Sequence, residues 1–370
     1  MSTFGIDARA AAEVGGGRGT MVRELLRALA ASETPHRFRL FARERWNGAA
    51  LDSRFTWALS PRPDPVWHAA TALRANRSCD AYLSTNSYLT AWGLRVPSVV
   101  VVCDMVSHHP EFLPQRRAAL IERATLPLAV RRARTLAPIS HATGADLVRL
   151  YPRAAGKLCV TELAAGARFA TSGAPDVEVL ARHGLTGERY VLGVGTLEPR
   201  KNLPRLIEAF AALGPEVRDA HSLVLVGELG WDSEQTTASI ARYRHLVRTL
   251  GRVGDDDLPA LYRRAALFAY PSLYEGFGLP VLEAMTAGVP VLTSNVSSLP
   301  EVAGNAALLV DPTSVESIRD ALETGLTDRE HASALAAAGR ERARRFSWER
   351  YAAEVVAALV GATATARSSS

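Results

Sequence analysis

Two stretches in the second half of the chain carry residue types that can hold an anionic, hydroxyl-rich ligand. The first is Gly195-Thr196-Leu197-Glu198-Pro199-Arg200-Lys201-Asn202, where two adjacent cations stand at the mouth of a helix that the pattern begins near Leu203. A helix N-terminus has unpaired N–H groups and a partial positive charge, so Arg200 and Lys201 beside it suit a diphosphate. Gly195 permits close backbone approach. The second is Glu275-Gly276-Phe277-Gly278-Leu279-Pro280-Val281-Leu282-Glu283, with one carboxylate on a glycine turn and another in the first turns of the next helix. Gly276 and Gly278 expose backbone N–H groups, Pro280 suits a helix start, and carboxylates accept bidentate hydrogen bonds from vicinal hydroxyls. A solvated basic turn and a glycine turn with a dipole-favoured Glu explain the same residues without a ligand, and residue types alone leave both readings open.

The first half offers weaker signals. Gly15-Gly16-Gly17-Arg18-Gly19 lies between a strand and a helix and could cradle an anion or simply turn the chain. It is not the dinucleotide fingerprint. An apolar run, Val100-Val101-Val102-Cys103, ends in Asp104, a carboxylate placed where open α/β sheets bind ligands. His108, His109 and His141 read more readily as surface or capping residues than as catalysts. The chain shows no zinc spacing, Walker A sequence or nucleophile elbow.

These motifs follow short apolar strands that alternate with helical patterns. Strands are predicted at Thr3–Asp7, Arg37–Phe41, Ala81–Ser84, Ser98–Cys103 and Thr135–Ile139, then at Tyr190–Val194, Ser222–Val226, Leu267–Tyr270, Val289–Thr293 and Ala306–Val310. Helices are predicted at Thr20–Ala31, Pro114–Arg132, Leu203–Leu213, Glu234–Leu250, Leu258–Arg264, Pro280–Ala287 and Ser314–Thr324. Such alternation means parallel sheets covered on both faces. The pattern runs twice, predicting an α/β chain of two Rossmann-like, doubly wound domains facing a central cleft. The boundary is expected within the turn-rich stretch Phe169–Glu188, giving domains 1–170 and 171–345. A last helix over 346–362 either crosses back to the first domain, with Trp348 and Tyr351 as anchors, or packs within the second. Residues 363–370 are expected to be a disordered tail.

At 370 residues the chain has room for about two domains. A formal charge of +5 is too mild to imply nucleic-acid binding. It is compatible with an anionic small ligand or loose contact with an acidic membrane surface. Cys79, Cys103 and Cys159 are sparse and odd in number, which fits a reducing cytoplasm. No signal-peptide pattern and no long apolar span is read in the sequence.

Taken together, GTLEPRKNLPRLIEAF and the run from GRVGDDD through YEGFGLPVLEAM to NAALLVDP resemble the large retaining glycosyltransferase family 4, which includes mannosyltransferases and sucrose-type synthases and has the GT-B fold. The resemblance is nearly continuous in the C-terminal half and thinner in the first. It implies a nucleotide diphospho-sugar donor, such as GDP-mannose or a UDP- or dTDP-sugar, and transfer with retention to a glycan, lipid-linked or small-molecule hydroxyl. It also implies roles: Arg200 and Lys201 on the diphosphate, Glu275 on the transferred sugar and Glu283 on the ribose. The amides of Phe277, Gly278 and Leu279 would meet phosphate or sugar oxygens, Val253 the base, and Gly16 and Gly17 the phosphate and acceptor. Asp104 would join Glu275, Arg200 and Lys201 in the catalytic set. Cys103 stands where many relatives carry a donor-contacting His, and His108 or His109 could compensate. No metal-binding Asp-x-Asp is present, so no metal or other cofactor is expected and protein cations are expected to neutralise the leaving group. An epimerase or hydrolase on the same scaffold and a non-catalytic sugar-nucleotide binding module are the competing readings. Substitutions at Glu275, Arg200 and Lys201 are expected to abolish transfer while leaving the fold intact.

Overall fold

A computed structural model describes residues 1–85, 87–112, 116–171 and 176–367. The chain divides into two compact units, Met1–Leu163 with Ser347–Ser370, and Ala164–Phe346. Each is built on one parallel sheet. The first unit holds β1 (Thr3–Asp7), β2 (Arg37–Ala42), β3 (Phe55–Leu59), β4 (Ala81–Ser84), β5 (Ser98–Val102) and β6 (Thr135–Pro138), in the order β3-β2-β1-β4-β5-β6. The second holds β7 (Tyr190–Val194), β8 (Ser222–Val226), β9 (Val247–Gly251), β10 (Leu267–Tyr270), β11 (Val291–Ser294) and β12 (Leu308–Val310), in the order β12-β11-β10-β7-β8-β9. Both are the doubly wound Rossmann order, in which the direction of winding reverses once. The reversal falls between β1 and β4 in one sheet and between β7 and β10 in the other.

Central strands are apolar on both faces because helices cover both. In the second unit Val191, Leu206, Phe210, Leu223, Leu225, Leu267 and Leu322 share one buried cluster. In the first, Val100, Val102, Leu126, Val130, Leu136 and Leu147 do the same. Behind β1 a buried ion pair, Arg9 with Asp7 at 2.8 Å, carries its guanidinium 3.8 Å over the Trp67 ring. It pins the start of the segment that leads to the glycine loop.

Edge elements differ most from the sequence expectation. β3 lies where no strand was predicted, and β9 in a stretch read as the end of one helix, Glu234–Leu250. That helix stops at Arg242 (Glu234–Arg242). Both strands are partly exposed edges, so neither shows the unbroken apolar run that marks a central strand. The unit division at Leu163 precedes the turn-rich stretch in which it was expected, and residues 172–175 of that stretch lie outside the described residues. Pro114 and Gln115 of the predicted helix also lie outside them; the helix is described over Arg116–Arg132. The last helix, Trp348–Arg367, packs on the helix Gly16–Ala31 and on β4 and β5. Tyr351 is fully buried there, edge-on to Trp348 at 5.5 Å. The expected disordered tail is therefore helical to Arg367; residues 368–370 lie outside the described residues.

β7 and β8 end in two glycines that only glycine can fill. Gly195 and Gly227 have φ of 141° and 146°. A Cβ on Gly227 would lie 2.0 Å from the Gly195 carbonyl oxygen. Gly227→Ala should therefore cost roughly 3 kcal/mol or more in urea unfolding, combining backbone strain with overpacking.

Candidate active site

The basic turn is shaped by Asn202. After β7 the chain makes a single short helical turn, Pro199–Lys201, and Asn202 then adopts the left-handed conformation at φ 60° before the helix Leu203–Ala211. Asn tolerates that region better than most residues. Its side chain, 2% exposed, donates to the carbonyls of Pro271 at 3.0 Å and Pro312 at 2.6 Å. The Leu273 amide donates to the Arg200 carbonyl at 2.8 Å. These bonds tie the turn after β7 to the segment after β10, across the point where the strand order reverses.

The tie brings Arg200, Lys201 and Glu275 into direct contact. Arg200 donates to Glu275 Oε2 at 2.5 Å and Lys201 to Oε1 at 2.7 Å. Tyr270, the last residue of β10, donates to the same Oε1 at 2.8 Å. Arg200 also reaches Glu198 at 2.5 Å and the Tyr274 carbonyl at 2.9 Å, while Trp231 holds the other Glu198 oxygen at 3.1 Å. Each cation thus already has a carboxylate partner, and Arg200, Lys201, Glu198 and Glu275 sum to no formal charge. Both cations singled out from sequence belong to one ion-pair network with Glu198 and Glu275. Burial would push the Glu275 carboxyl up, but Arg200 and Lys201 outweigh it and hold it at about 2. Burial and Arg200 push the Lys201 ammonium below its ordinary value, and Glu275 offsets this only in part.

The open backbone begins two residues after Glu275, at Phe277. Glu275 itself is fastened, its N–H to Ser297 Oγ at 3.1 Å and its carbonyl accepting from Ser298 Oγ at 2.9 Å. Among the described residues, the N–H groups of Phe277, Gly278 and Leu279 donate to nothing. They begin the helix Leu279–Ala287, whose cap residue Gly278 sits at φ 117° with no side-chain cap. Phe277 and Gly278 are buried, so three successive unpaired amides there are costly unless an anion or ligand oxygen accepts from them. Ser297, at φ 59°, holds a strained backbone beside them, a feature common at ligand clamps.

Glu283 sits apart from this triad, in a different field. Burial pushes its carboxyl up to about 7, and the Tyr262 hydroxyl, donating at 3.0 Å, and nearby Arg168 only partly offset the push. Val253 lies two residues past β9 and is 9% exposed. In the first unit, Gly16 and Gly17 open the helix Gly16–Ala31, and Asp104 follows β5 with one oxygen accepting from the Val106 amide at 3.0 Å. Cys103 hydrogen-bonds Arg18, and burial raises its thiol. The His108 ring nitrogens face Ser107 Oγ at 3.0 Å and the Tyr151 hydroxyl at 2.9 Å. His109 lies 3.3 Å from Glu111, and His141 follows Ser140, which caps its helix. Glu198, Tyr270, Ser297, Ser298 and Tyr262 were not singled out from sequence. Their only signal was position, since Tyr270 ends a predicted strand and Ser297 and Ser298 follow another. A cavity of about 460 Å³ lined by Arg189, Arg264 and Arg329 lies at the opposite, amino ends of β7 and β10.

Glu275 is a structural tie as well as an expected site residue, because its side chain is only 9% exposed and carries two ion pairs. Glu275→Gln should lose about 3 kcal/mol in urea unfolding at neutral pH, since half-buried Lys201 loses its carboxylate partner and Arg200 keeps only Glu198. Glu283→Gln should do the reverse. A carboxyl raised from 4.5 to about 7 stabilises least once ionised, so the variant should melt above wild type at pH values over about 7 and match it below about 4.5. Equal melting profiles at both ends would contradict that assignment.

The family profile for glycosyl transferases group 1 matches residues 179–342. O-antigen chain mannosyltransferase B of Escherichia coli is 38% identical over 243 residues, 65% of this chain and 64% of that one. The MMP alpha-(1->4)-mannosyltransferase of Mycolicibacterium hassiacum is 34% identical over 180 residues, 48% of this chain and 44% of that one. The chain thus spans less than two thirds of the length of these curated relatives. Among solved structures, HepE from Anabaena in complex with UDP and glucose aligns with a TM-score of 0.77 at 18% identity, covering 98% of this chain and 100% of that one. Sucrose-phosphate synthase from Thermosynechococcus elongatus aligns at 0.75 and 20%, covering 96% and 97%. At these identities the structural likeness speaks for the fold, two Rossmann-like parallel-sheet domains, and the sequence matches speak for the family. Residues 179–342 of this chain belong to the glycosyl transferases group 1 family.

Proposed function

We propose that the protein is a retaining mannosyltransferase that takes its sugar from GDP-mannose and delivers it to a hydroxyl of a glycan or lipid-linked saccharide. The observation that carries this reading is the open row of amides at Phe277, Gly278 and Leu279, one turn from a carboxylate held by Arg200 and Lys201. Such a row, at a helix N-terminus and next to two cations, suits the oxygens of a sugar diphosphate. The choice of mannose rests on the relatives, which are named mannosyltransferases. The UDP complex of HepE makes a uridine donor the first alternative to test.

In the reaction we infer, the acceptor oxygen bonds to the anomeric carbon on the face from which the diphosphate departs. The acceptor proton passes to the leaving phosphate oxygen, so no protein nucleophile is consumed. Negative charge grows on the diphosphate as its bond to the sugar breaks. The Arg200 and Lys201 N–H groups and the open amides stabilise that charge in a site of restricted water. Glu275, fixed as a carboxylate, accepts from the sugar hydroxyls, and Glu283 accepts from the ribose diol when ionised. The reading assigns the leaving group's charge to these donors and the helix N-terminus, without a metal.

Acceptor recognition we assign to the first unit. We also place the enzyme at the cytoplasmic face of a membrane, held peripherally. No helix among the described residues is long and apolar enough to cross a membrane. The helix Arg116–Arg132 exposes Leu120 and Ile121 at 63% and 51%, with Arg131 and Arg132 exposed at its end. That combination suits an anionic lipid surface.

The test is turnover of a panel of nucleotide sugars, including GDP-mannose and UDP-glucose, with and without octyl α-D-mannopyranoside as acceptor. GDP-mannose should give an α-linked product by NMR, at an unchanged rate in EDTA. Arg200→Ala and Lys201→Ala should each lower kcat by roughly 100-fold or more. Donor consumption indifferent to acceptor would favour the hydrolase or epimerase reading, and a β-linked product would overturn retention. Donor KM should rise as pH falls through about 7, when Glu283 takes up its proton and ceases to accept from the ribose.

A further inference from the structure

The cavity of about 460 Å³ at the amino ends of β7 and β10 takes no part in the donor reading, which uses the carboxyl ends of the same strands. Three guanidinium groups line it. Arg189 comes immediately before β7, Arg264 ends the helix Leu258–Arg264 that leads to β10, and Arg329 opens the helix Arg329–Ala343. None of the three was singled out from sequence, because they stand far apart along the chain and only the fold gathers them.

These arginines differ from others of the same unit in lacking a carboxylate partner. Arg182 pairs with Asp257 at 2.5 Å, Arg263 with Asp176 at 2.6 Å, and Arg248 with Glu188. Among the described residues, the side chains of Arg189, Arg264 and Arg329 make no hydrogen bond or ion pair. Glu188 also lines the cavity, but its carboxylate is taken by Arg248 and by the Ser222 hydroxyl, which donates at 3.1 Å. Asp328, the cap residue before Arg329, spends one oxygen on the His331 amide at 2.9 Å. Three like charges around one hollow repel one another, and the helix start at Arg329 adds a partial positive charge. Buried Leu180 and Leu326 supply an apolar part of the wall.

We propose that this cavity binds a small organic phosphate, with Arg189, Arg264 and Arg329 on the phosphate group and Leu180 and Leu326 against the organic part. Guanidinium groups present forked N–H donors that match phosphate oxygens, and a phosphate monoester carries about two negative charges at neutral pH. The volume falls within the range of about 300–1,000 Å³ of small-molecule pockets, so the space suits a phosphate carrying an organic group, such as a nucleoside monophosphate. The proposal does not depend on which sugar nucleotide occupies the other end of the sheet.

Two consequences separate this cavity from the donor end and from a structural role. The five residues of β7, at roughly 3.3 Å each, hold the two ends roughly 16 Å apart, so the two ligands do not compete for space. The three arginines are exposed and hold no other residue in place, so removing one relieves repulsion and breaks no tie. The urea midpoint of each alanine variant should therefore match or exceed that of wild type at low salt, where repulsion is least screened.

The experiment titrates the full chain by calorimetry with AMP, inorganic phosphate, adenosine and GDP, in wild type, Arg189→Ala, Arg264→Ala, Arg329→Ala and Arg264→Lys. AMP should bind more tightly than inorganic phosphate, and adenosine should not bind measurably. Each alanine variant should weaken AMP binding about tenfold, and Arg264→Lys by a smaller factor, while GDP affinity stays within about twofold. AMP affinity unchanged in all three alanine variants, or matched by adenosine or by inorganic phosphate, would overturn the proposal. A parallel loss of GDP affinity would overturn it too, by tracing the effect to the donor end. A lipid headgroup is tested by sedimentation with vesicles of phosphatidic acid and phosphatidylcholine; vesicle binding that the alanine variants abolish, without AMP binding, would replace the soluble ligand with a membrane surface. A wild type that binds AMP as stated but no GDP would support this site and count against the donor reading instead.

Discussion

The second unit is organised around one buried carboxylate. Glu275 accepts from Arg200, Lys201 and Tyr270 while only 8% exposed, and so fastens the turn after β7 to the segment after β10. Taking these charges out of water is expensive, and the cost is offset only because each Glu275 oxygen meets a cation at hydrogen-bond distance. Phe277, Gly278 and Leu279 follow it at the head of a helix with their amides unpaired, and the donor reading begins from that row.

Two glutamates eight positions apart in one motif live in opposite fields. Glu275 has cations on both oxygens and stays ionised far into acid, at about 2. Glu283 has a phenol and a more distant arginine, and burial pushes it to about 7. Their chemistry differs accordingly: one is a fixed charge that organises its neighbours, the other changes its hydrogen-bonding sense near neutral pH. Left-handed backbone at Asn202 and Ser297 accompanies the arrangement. Both residues spend their side chains on holding the loops of the site together, which is how such strain is sustained.

The two sheets share a strand order, yet the groups gathered at their carboxyl ends differ in kind. In the second unit the loops after β7 and β10 present paired charges and open amides, a setting for phosphate. In the first, a glycine-rich helix start and Asp104 follow the strands instead. The same topology carries different groups because loop side chains, and not the sheet, set the chemistry.

Period and run length alone sufficed for the central strands and both doubly wound halves, because a strand buried on both faces must be apolar throughout. The motif residues were also legible, since glycine turns, paired cations and carboxylates announce themselves by type. What stayed hidden were β3 and β9, whose partly exposed edges carry no such run, and the helical continuation of the last segment to Arg367. The tertiary structure alone decided that Arg200 and Lys201 are committed to Glu275 and that Tyr270 joins them. Those facts depend on which loops meet when distant strands become neighbours, and hydrogen-bond distances between residues tens of positions apart leave no periodic trace in a sequence.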